Sequence, residues 1–342
     1  MTSIFLTGAS GYVGGQLLHE LTQSHPEYSI ATLVRDANAA NAISQAYPKV
    51  RTVVGDLDDS ALVEQEAEKA SIVLNVASNK HIGSLQAIHR GLQKRRSNGY
   101  LIQISGASLL PVRDLSSPSF KPGEPSTDVW DDLDGISSIH DLIRSHDSRV
   151  VDNYILKIAK ETPSVKTALV LPPIIYGKGQ GPVKQRSVQI PALSKVALER
   201  GHAVRAGRGL ASWTNVHVAD LARLFALLAE AGAKGSADDK VWGENGVYLP
   251  GVGEMTWAEI SDRVAKAAKD QGFIDTLEIE ELYKPEVDSA LPAGSVFFGS
   301  NARSKPRRAT EVLGWKPTET GLDAEIPRAV AEEAEGLKKA NL

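Results

Sequence analysis

The chain has 342 residues, 42% hydrophobic and 23% charged, which suits a soluble globular protein of one large domain or two closely joined ones. With no cysteine, it cannot form disulfides, thiolate nucleophiles, cysteine zinc sites or iron–sulfur clusters. A net charge of −4, no basic leader and no apolar run near the roughly 20 residues of a membrane span argue against nucleic acid and membranes as partners, and for a cytoplasmic location.

In chain order, SIFLTG (Ser3–Gly8) reads as a buried strand and Gly15–Ser24 as a helix. Ser29–Asp36 is a second strand and Ala37–Ala46 a helix. Val50–Leu57 is a third strand, followed by a polar helix at Ser60–Ala70. Ser71–Ser78 and Tyr100–Ser105 are strands four and five, with a helix at Leu85–Arg96 between them. Pro111–Asp128 is a Pro/Ser-rich loop long enough to cover a site. A helix around Val150–Glu161 then leads into a sixth strand, Val165–Pro173.

Near-continuous apolar strands separated by helices predict an α/β fold, a doubly wound parallel (Rossmann) sheet covered on both faces. Ligands of such a sheet sit at the carboxyl ends of its strands. Beyond Tyr176 the pattern is irregular. Residues 1–175 are therefore expected to form the dinucleotide-binding domain, whose sheet also takes in about 207–232. Residues 176–206 and 233–342 would form a smaller α/β substrate lobe.

TGASGYVGG (Thr7–Gly15) spaces Gly8, Gly11 and Gly14 as G-x-x-G-x-x-G between a buried strand and a helix, the context that makes a glycine triplet a dinucleotide signal. Gly8 allows a tight turn, Gly11 lets the backbone approach a pyrophosphate, and Gly14 lets helix and strand pack closely. Ser10 and the amides near Tyr12 and Val13 then face the diphosphate at the positive end of the helix. Strand two ends in Arg35–Asp36. Arg35 is placed to meet a ribose 2′-phosphate and Asp36 to serve the turn, so NADP is the expected cofactor, with NAD as the alternative.

With that loop in place, the chain resembles the extended (epimerase/dehydratase-like) short-chain dehydrogenases/reductases over nearly its whole length. GDL (Gly55–Leu57) is similar to the family segment in which Asp56 and Leu57 border the adenine. NVAS (Asn75–Ser78) is similar to the motif that lays Ala77 against the ribose. LPPIIYGKGQGP (Leu171–Pro182) matches the exit where Pro172 and Pro173 border the nicotinamide. GRGLASWTNVHVADLARLF (Gly207–Phe225) and NARSKPRRATEVLGWKP (Asn301–Pro317) match two later family segments.

The resemblance implies a serine after strand five, here Ser105 with Ser108 as the second candidate. It also implies a tyrosine four residues before a lysine. VVDNYILKIAKE (Val150–Glu161), aligned on Lys157 and Glu161, puts Asn153 at the tyrosine position and Tyr154 one residue late, about 100° round the helix. Lys157 is expected to hold the nicotinamide ribose, and Tyr154, His146 or a water to relay the proton.

Arg149 and Asp152 read as a surface ion pair, and His217 and Asp220 as a strand end and a helix start. Arg186 and Gln189 are candidates for substrate selection and Trp213 for an apolar wall. Arg303, Lys305, Arg307 and Arg308 read as a solvated face or as contacts to phosphates. No metal is expected. The leading function is an NADP-dependent oxidoreductase acting on a small carbonyl or alcohol with an altered proton relay, as a monomer or homodimer. The alternatives are a sugar-nucleotide epimerase or dehydratase, and a catalytically silent NADP-binding regulatory protein.

Overall fold

The computed structural model describes residues 2–340. Its main sheet holds seven parallel strands: β1 (Ser3–Thr7), β2 (Ser29–Val34), β3 (Arg51–Val54), β4 (Ile72–Asn75), β5 (Gly99–Ile104), β6 (Val165–Val170) and β7 (Val247–Tyr248). Their spatial order is β7-β6-β5-β4-β1-β2-β3. The chain winds outwards from β1 to β3 and then returns to place β4 on the other side of β1. That reversal between β1 and β4 opens the crevice in which such sheets bind ligands.

The strands are apolar on both faces because both faces are covered. Phe5, Val73 and Leu101 point into one core, while Ile4, Leu6, Ile72, Leu74 and Ile102 point into the other. The first core is closed by α3 (Ser60–Lys69), α4 (Ile82–Gln93), α5 (Ile136–Arg144) and α6 (Val150–Glu161). The second lies under α1 (Tyr12–Ser24), α2 (Ala37–Ala46) and α8 (Val218–Ala233), which buries Leu221, Leu224, Phe225 and Leu228. The remaining lobe packs α7 (Gln189–Arg200), α9 (Trp257–Asp270) and α10 (Leu322–Ala340) beside a two-stranded sheet of Ala203–Ala206 and Ile279–Leu282. Among the described residues no helix is long and apolar enough to cross a membrane.

Two expectations change. The sixth strand ends at Val170, because Pro172 and Pro173 cannot donate to a ladder. Ile174–Tyr176 resumes as a strand in a separate three-stranded sheet with Ser212–His217 and Gly253–Thr256. Consequently Ser212–His217 does not join the main sheet. Only the helix after it, α8, returns to cover that sheet, and Val247–Tyr248 supplies the seventh strand.

The Pro/Ser-rich segment is not a cover over the crevice. Gly123 N–H donates to the Gly299 carbonyl (2.7 Å), Leu210 N–H to the Gly123 carbonyl (2.7 Å) and the Asn301 amide to the Glu124 carbonyl (2.9 Å), tying it to the second lobe.

Candidate active site

A cleft of about 660 Å³ runs along the carboxyl ends of β1, β2 and β4. It begins at the glycine turn. Gly8 adopts φ +84°, and a Cβ there would stand 2.8 Å from the Ala77 backbone, so only glycine allows the β1 and β4 exits to approach this closely. At Gly14 a Cβ would fall inside the Gly8 carbonyl. Gly11 caps α1 with extended backbone and no side-chain hydrogen bond, and no acid stands in the first turn. The leading amides and positive end of the helix are therefore left for an anion.

These features fit a dinucleotide. Gly8, Ser10, Gly11, Tyr12, Val13, Gly14, Arg35, Asp56, Leu57, Ala77 and Pro173 all line the cleft. Arg35 stands exposed at the end of β2, while the Asp36 carboxylate caps α2 by accepting from Ala39 N–H at 2.8 Å. The Tyr12 hydroxyl donates to the Gly177 carbonyl (2.7 Å), and Gly15 packs directly on Gly181. Burial pushes the Tyr12 phenol far above its usual pKa, so it stays a neutral strut between α1 and the glycine-rich loop after Ile174–Tyr176.

Beneath the cleft, Thr7 donates to Asn75 and Asn75 to Gln103, each at 2.6 Å. This buried chain crosses β1, β4 and β5 and satisfies each side chain where an orphaned polar atom would cost about 1–3 kcal/mol.

Further lining residues carried no distinctive pattern in the sequence: Asp58, His81, Lys184 and Val188. His81 accepts from Ser84 N–H to cap α4 and meets Asp58 at 2.9 Å. The one signal available was for His81, at the polar exit of β4 just beyond the NVAS motif. Gln189, singled out for the substrate lobe, does line the cleft, and its amide donates to the Phe297 carbonyl.

The helix α6 presents a different face from the one expected. Lys157 is 60% exposed, pairs with Glu161 at 3.8 Å and is absent from the cleft lining. Its expected place at the nicotinamide ribose is not where the structure puts it. Tyr154 lies on the same outward side, hydrogen-bonded to His89 Nδ1 at 3.0 Å, while His89 Nε2 meets Thr162. Asn153 donates to the carbonyls of Ile143 (3.0 Å) and Arg149 (3.1 Å), binding the end of α5. His146 stays in the connecting turn, its carbonyl accepting from Arg149 N–H. Pro172 is buried behind Pro173 and does not line the cleft.

What faces the end of β5 is Asp152. Ser105 Oγ donates to Asp152 Oδ2 at 2.9 Å, Arg149 lies 3.8 Å from the same oxygen, and Arg149 also donates to Ser108 Oγ at 3.1 Å. Asp152 is 1% exposed, so the surface ion pair expected from the i, i+3 spacing is instead a buried one. The reason is packing: Val151, Ile155 and Ile158 seat α6 on the sheet, and residue 152 is carried inwards with them.

Burial holds the Asp152 carboxyl up at about 6, against the pull of Ser105 and Arg149. An unfolded aspartate titrates near 3.9, so this group costs stability as pH rises from about 4 to about 6. Asp152→Asn is expected to be more stable than the parent above pH 6, by at most about 3 kcal/mol, with the gap closing below about pH 4. Urea unfolding at pH 4 and pH 8 measures both limits.

Other candidates have structural roles. His217 caps α8 by accepting from Ala219 N–H, and Asp220 accepts from Thr318 and Glu319 N–H. Trp213 is buried, its indole donating to the Ser300 carbonyl. Arg186 forms a two-pronged pair with Glu333 (2.6 and 2.9 Å). Arg303 pairs with Glu254, and Arg307 with Asp131, Asp134 and Glu311. Arg308 is buried against Asp132.

Comparison with known proteins agrees with this geometry. Residues 4–91 match the NAD dependent epimerase/dehydratase family. The chain is 35% identical to oxidase ucsJ of an Acremonium species over 98% of both chains, and 23% identical to the uncharacterized yeast protein YLL056C over 94% of this chain and 97% of that one. In fold it is similar to dTDP-glucose 4,6-dehydratase of Bacillus anthracis in complex with NAD (TM-score 0.66, 17% identity, 98% and 97% of the two chains). UDP-glucose 4-epimerase of Thermotoga maritima is similar too (TM-score 0.63, 15% identity, 98% and 100%). With a relative matched from end to end and the glycine cradle in place, the chain belongs to the NAD-dependent epimerase/dehydratase family of extended short-chain dehydrogenases/reductases.

Proposed function

We propose that the protein is an NADP(H)-dependent oxidoreductase that moves a hydride between the nicotinamide and a small carbonyl or alcohol. The observation that carries this reading is the division of labour at the end of β2: Asp36 is spent on capping α2, which leaves Arg35 at the rim to meet a 2′-phosphate. When bound, the nicotinamide supplies or accepts the hydride. The glycine turn and the start of α1 hold the pyrophosphate, Asp56 and Leu57 border the adenosine, and Ile104 and Pro173 wall the far end against water. Ser105, at the end of β5, orients the reacting oxygen.

The relative named as an oxidase supports net redox turnover. A sugar-nucleotide epimerase or dehydratase is less well served, because three of the four candidate phosphate contacts, Arg303, Arg307 and Arg308, are engaged within the protein.

Titration of NADPH and NADH, followed by nucleotide fluorescence, tests the reading. Arg35→Ala is expected to weaken NADPH about 10- to 100-fold, the worth of a charge-assisted hydrogen bond of about 1.5–3 kcal/mol, and to leave NADH unchanged. Lys157→Ala should alter neither. Equal losses for both nucleotides in Arg35→Ala would remove the case for NADP, and no binding of either would end the oxidoreductase reading.

A further inference from the structure

Resting on that reading, we propose that Ser105 and Asp152 form a proton relay for the reacting oxygen, with Arg149 holding the pair in place. Three observations carry it. First, Ser105 is not itself a lining residue and is 7% exposed, but it directly follows the cleft-lining Ile104, and its hydroxyl already donates to Asp152 Oδ2 at 2.9 Å. Second, Asp152 is 1% exposed, yet its other oxygen, Oδ1, has no hydrogen-bond partner. A carboxylate kept only for stability is expected to use its acceptors fully, because an unused one inside the protein is costly. Third, polar side chains border the backbone beside the pair. A Cβ on Gly106 would make ordinary contacts with Asn79 Nδ2 and Ser108 Oγ, both at 3.8 Å.

In alcohol oxidation the substrate O–H bond breaks and its proton passes to Ser105 Oγ. The proton already on Ser105 moves along the existing hydrogen bond to Asp152 Oδ2. The substrate C–H bond breaks, its electron pair leaves as the hydride accepted by the nicotinamide, and the carbonyl forms. The substrate is thereby oxidised by two electrons and the dinucleotide reduced. Carbonyl reduction follows the same path in reverse, with Asp152 protonated at the start. Ser105 touches the reacting oxygen, and Asp152 acts through Ser105. Among the described residues Arg149, 3.8 Å away, is the charged group that bears on Asp152. The end of β5 contributes Ser105 and the turn beyond it Ser108, neither of which titrates.

The test measures protons exchanged on nucleotide binding, by calorimetry near pH 6 in buffers of different ionisation enthalpy. The oxidised nicotinamide is cationic and the reduced one neutral, while both nucleotides carry the same 2′-phosphate. A carboxyl that serves the nicotinamide end should therefore ionise more on binding NADP⁺ than NADPH. The expected difference is about half a proton per site, lost in Asp152→Asn and reduced in Ser105→Ala. A difference that survives in Asp152→Asn, or no difference although both nucleotides bind, overturns the relay and leaves Asp152 as a buried partner of Arg149. Failure of either nucleotide to bind is a separate result, which removes the oxidoreductase reading and the relay with it. Circular dichroism of each variant confirms that it is folded.

Discussion

Gly14→Ala is expected to abolish useful dinucleotide binding, with a loss of at least about 100-fold, or nearly 3 kcal/mol. The added methyl would overlap the Gly8 carbonyl, which is backbone and cannot rotate away. To make room, α1 must lift off the turn after β1, and the turn has no freedom to follow. Gly8 is held at φ +84° and already stands against Ala77 at the exit of β4. The amides at the start of α1 would then miss the pyrophosphate by a fraction of an ångström. A titration with NADPH, set beside urea unfolding, separates lost affinity from lost stability. Gly336→Ala is the control: it lies exposed in α10 with nothing near its Cβ position, so it should leave binding intact and stabilise the helix by about 0.5–1 kcal/mol. Binding by Gly14→Ala equal to the parent would show that the glycine turn is not the cradle.

Asp132→Ala should be the more damaging change for the fold, by about 2–5 kcal/mol in urea unfolding, the cost of two orphaned buried donors. Asp132 is fully buried between three stretches far apart in sequence. One carboxylate oxygen accepts from Arg308 N–H (2.8 Å) and the other from Leu249 N–H (2.9 Å), while Arg308 Nε donates to the Asp132 carbonyl (3.0 Å). Burial holds the carboxyl up at about 7, against the two amides and Arg308. Alanine would leave two buried backbone donors unsatisfied, while the Arg308 guanidinium would keep its backbone acceptors, the carbonyls of residue 132 and Lys240. Asp132→Asn retains an acceptor and should cost less. An alanine variant within about 0.5 kcal/mol of the parent would show that water or a shifted Arg308 replaces the contact.

The basic segment shows why the candidate site was only partly legible. Its spacing gave a run of cations, and a run of cations fits a phosphate site as well as a solvated face. Their partners lie far away along the chain: Asp132 is 176 residues from Arg308, Asp131 is 176 from Arg307 and Glu254 is 49 from Arg303. Periodicity has no term for such distances. The same holds for α6, where the spacing of Lys157 and Glu161 fitted a family pattern and in the fold is an exposed pair one helical turn apart.

Several features were nevertheless determined by the sequence alone: the alternation of strand and helix through β6, the glycine turn after β1, and the cleft residues Arg35, Asp56, Leu57 and Ala77. The elements, the glycine turn and Arg35 follow from local rules, an apolar run short enough for a strand or a backbone conformation open only to glycine, whereas Asp56, Leu57 and Ala77 come from the family resemblance of GDL and NVAS. The tertiary structure alone decided which face of α6 meets the end of β5. A helix offers several faces, and the one buried is set by the sheet it packs on. Ser105 and Asp152, 47 residues apart, meet only because β5 and α6 are stacked by the apolar side chains between them.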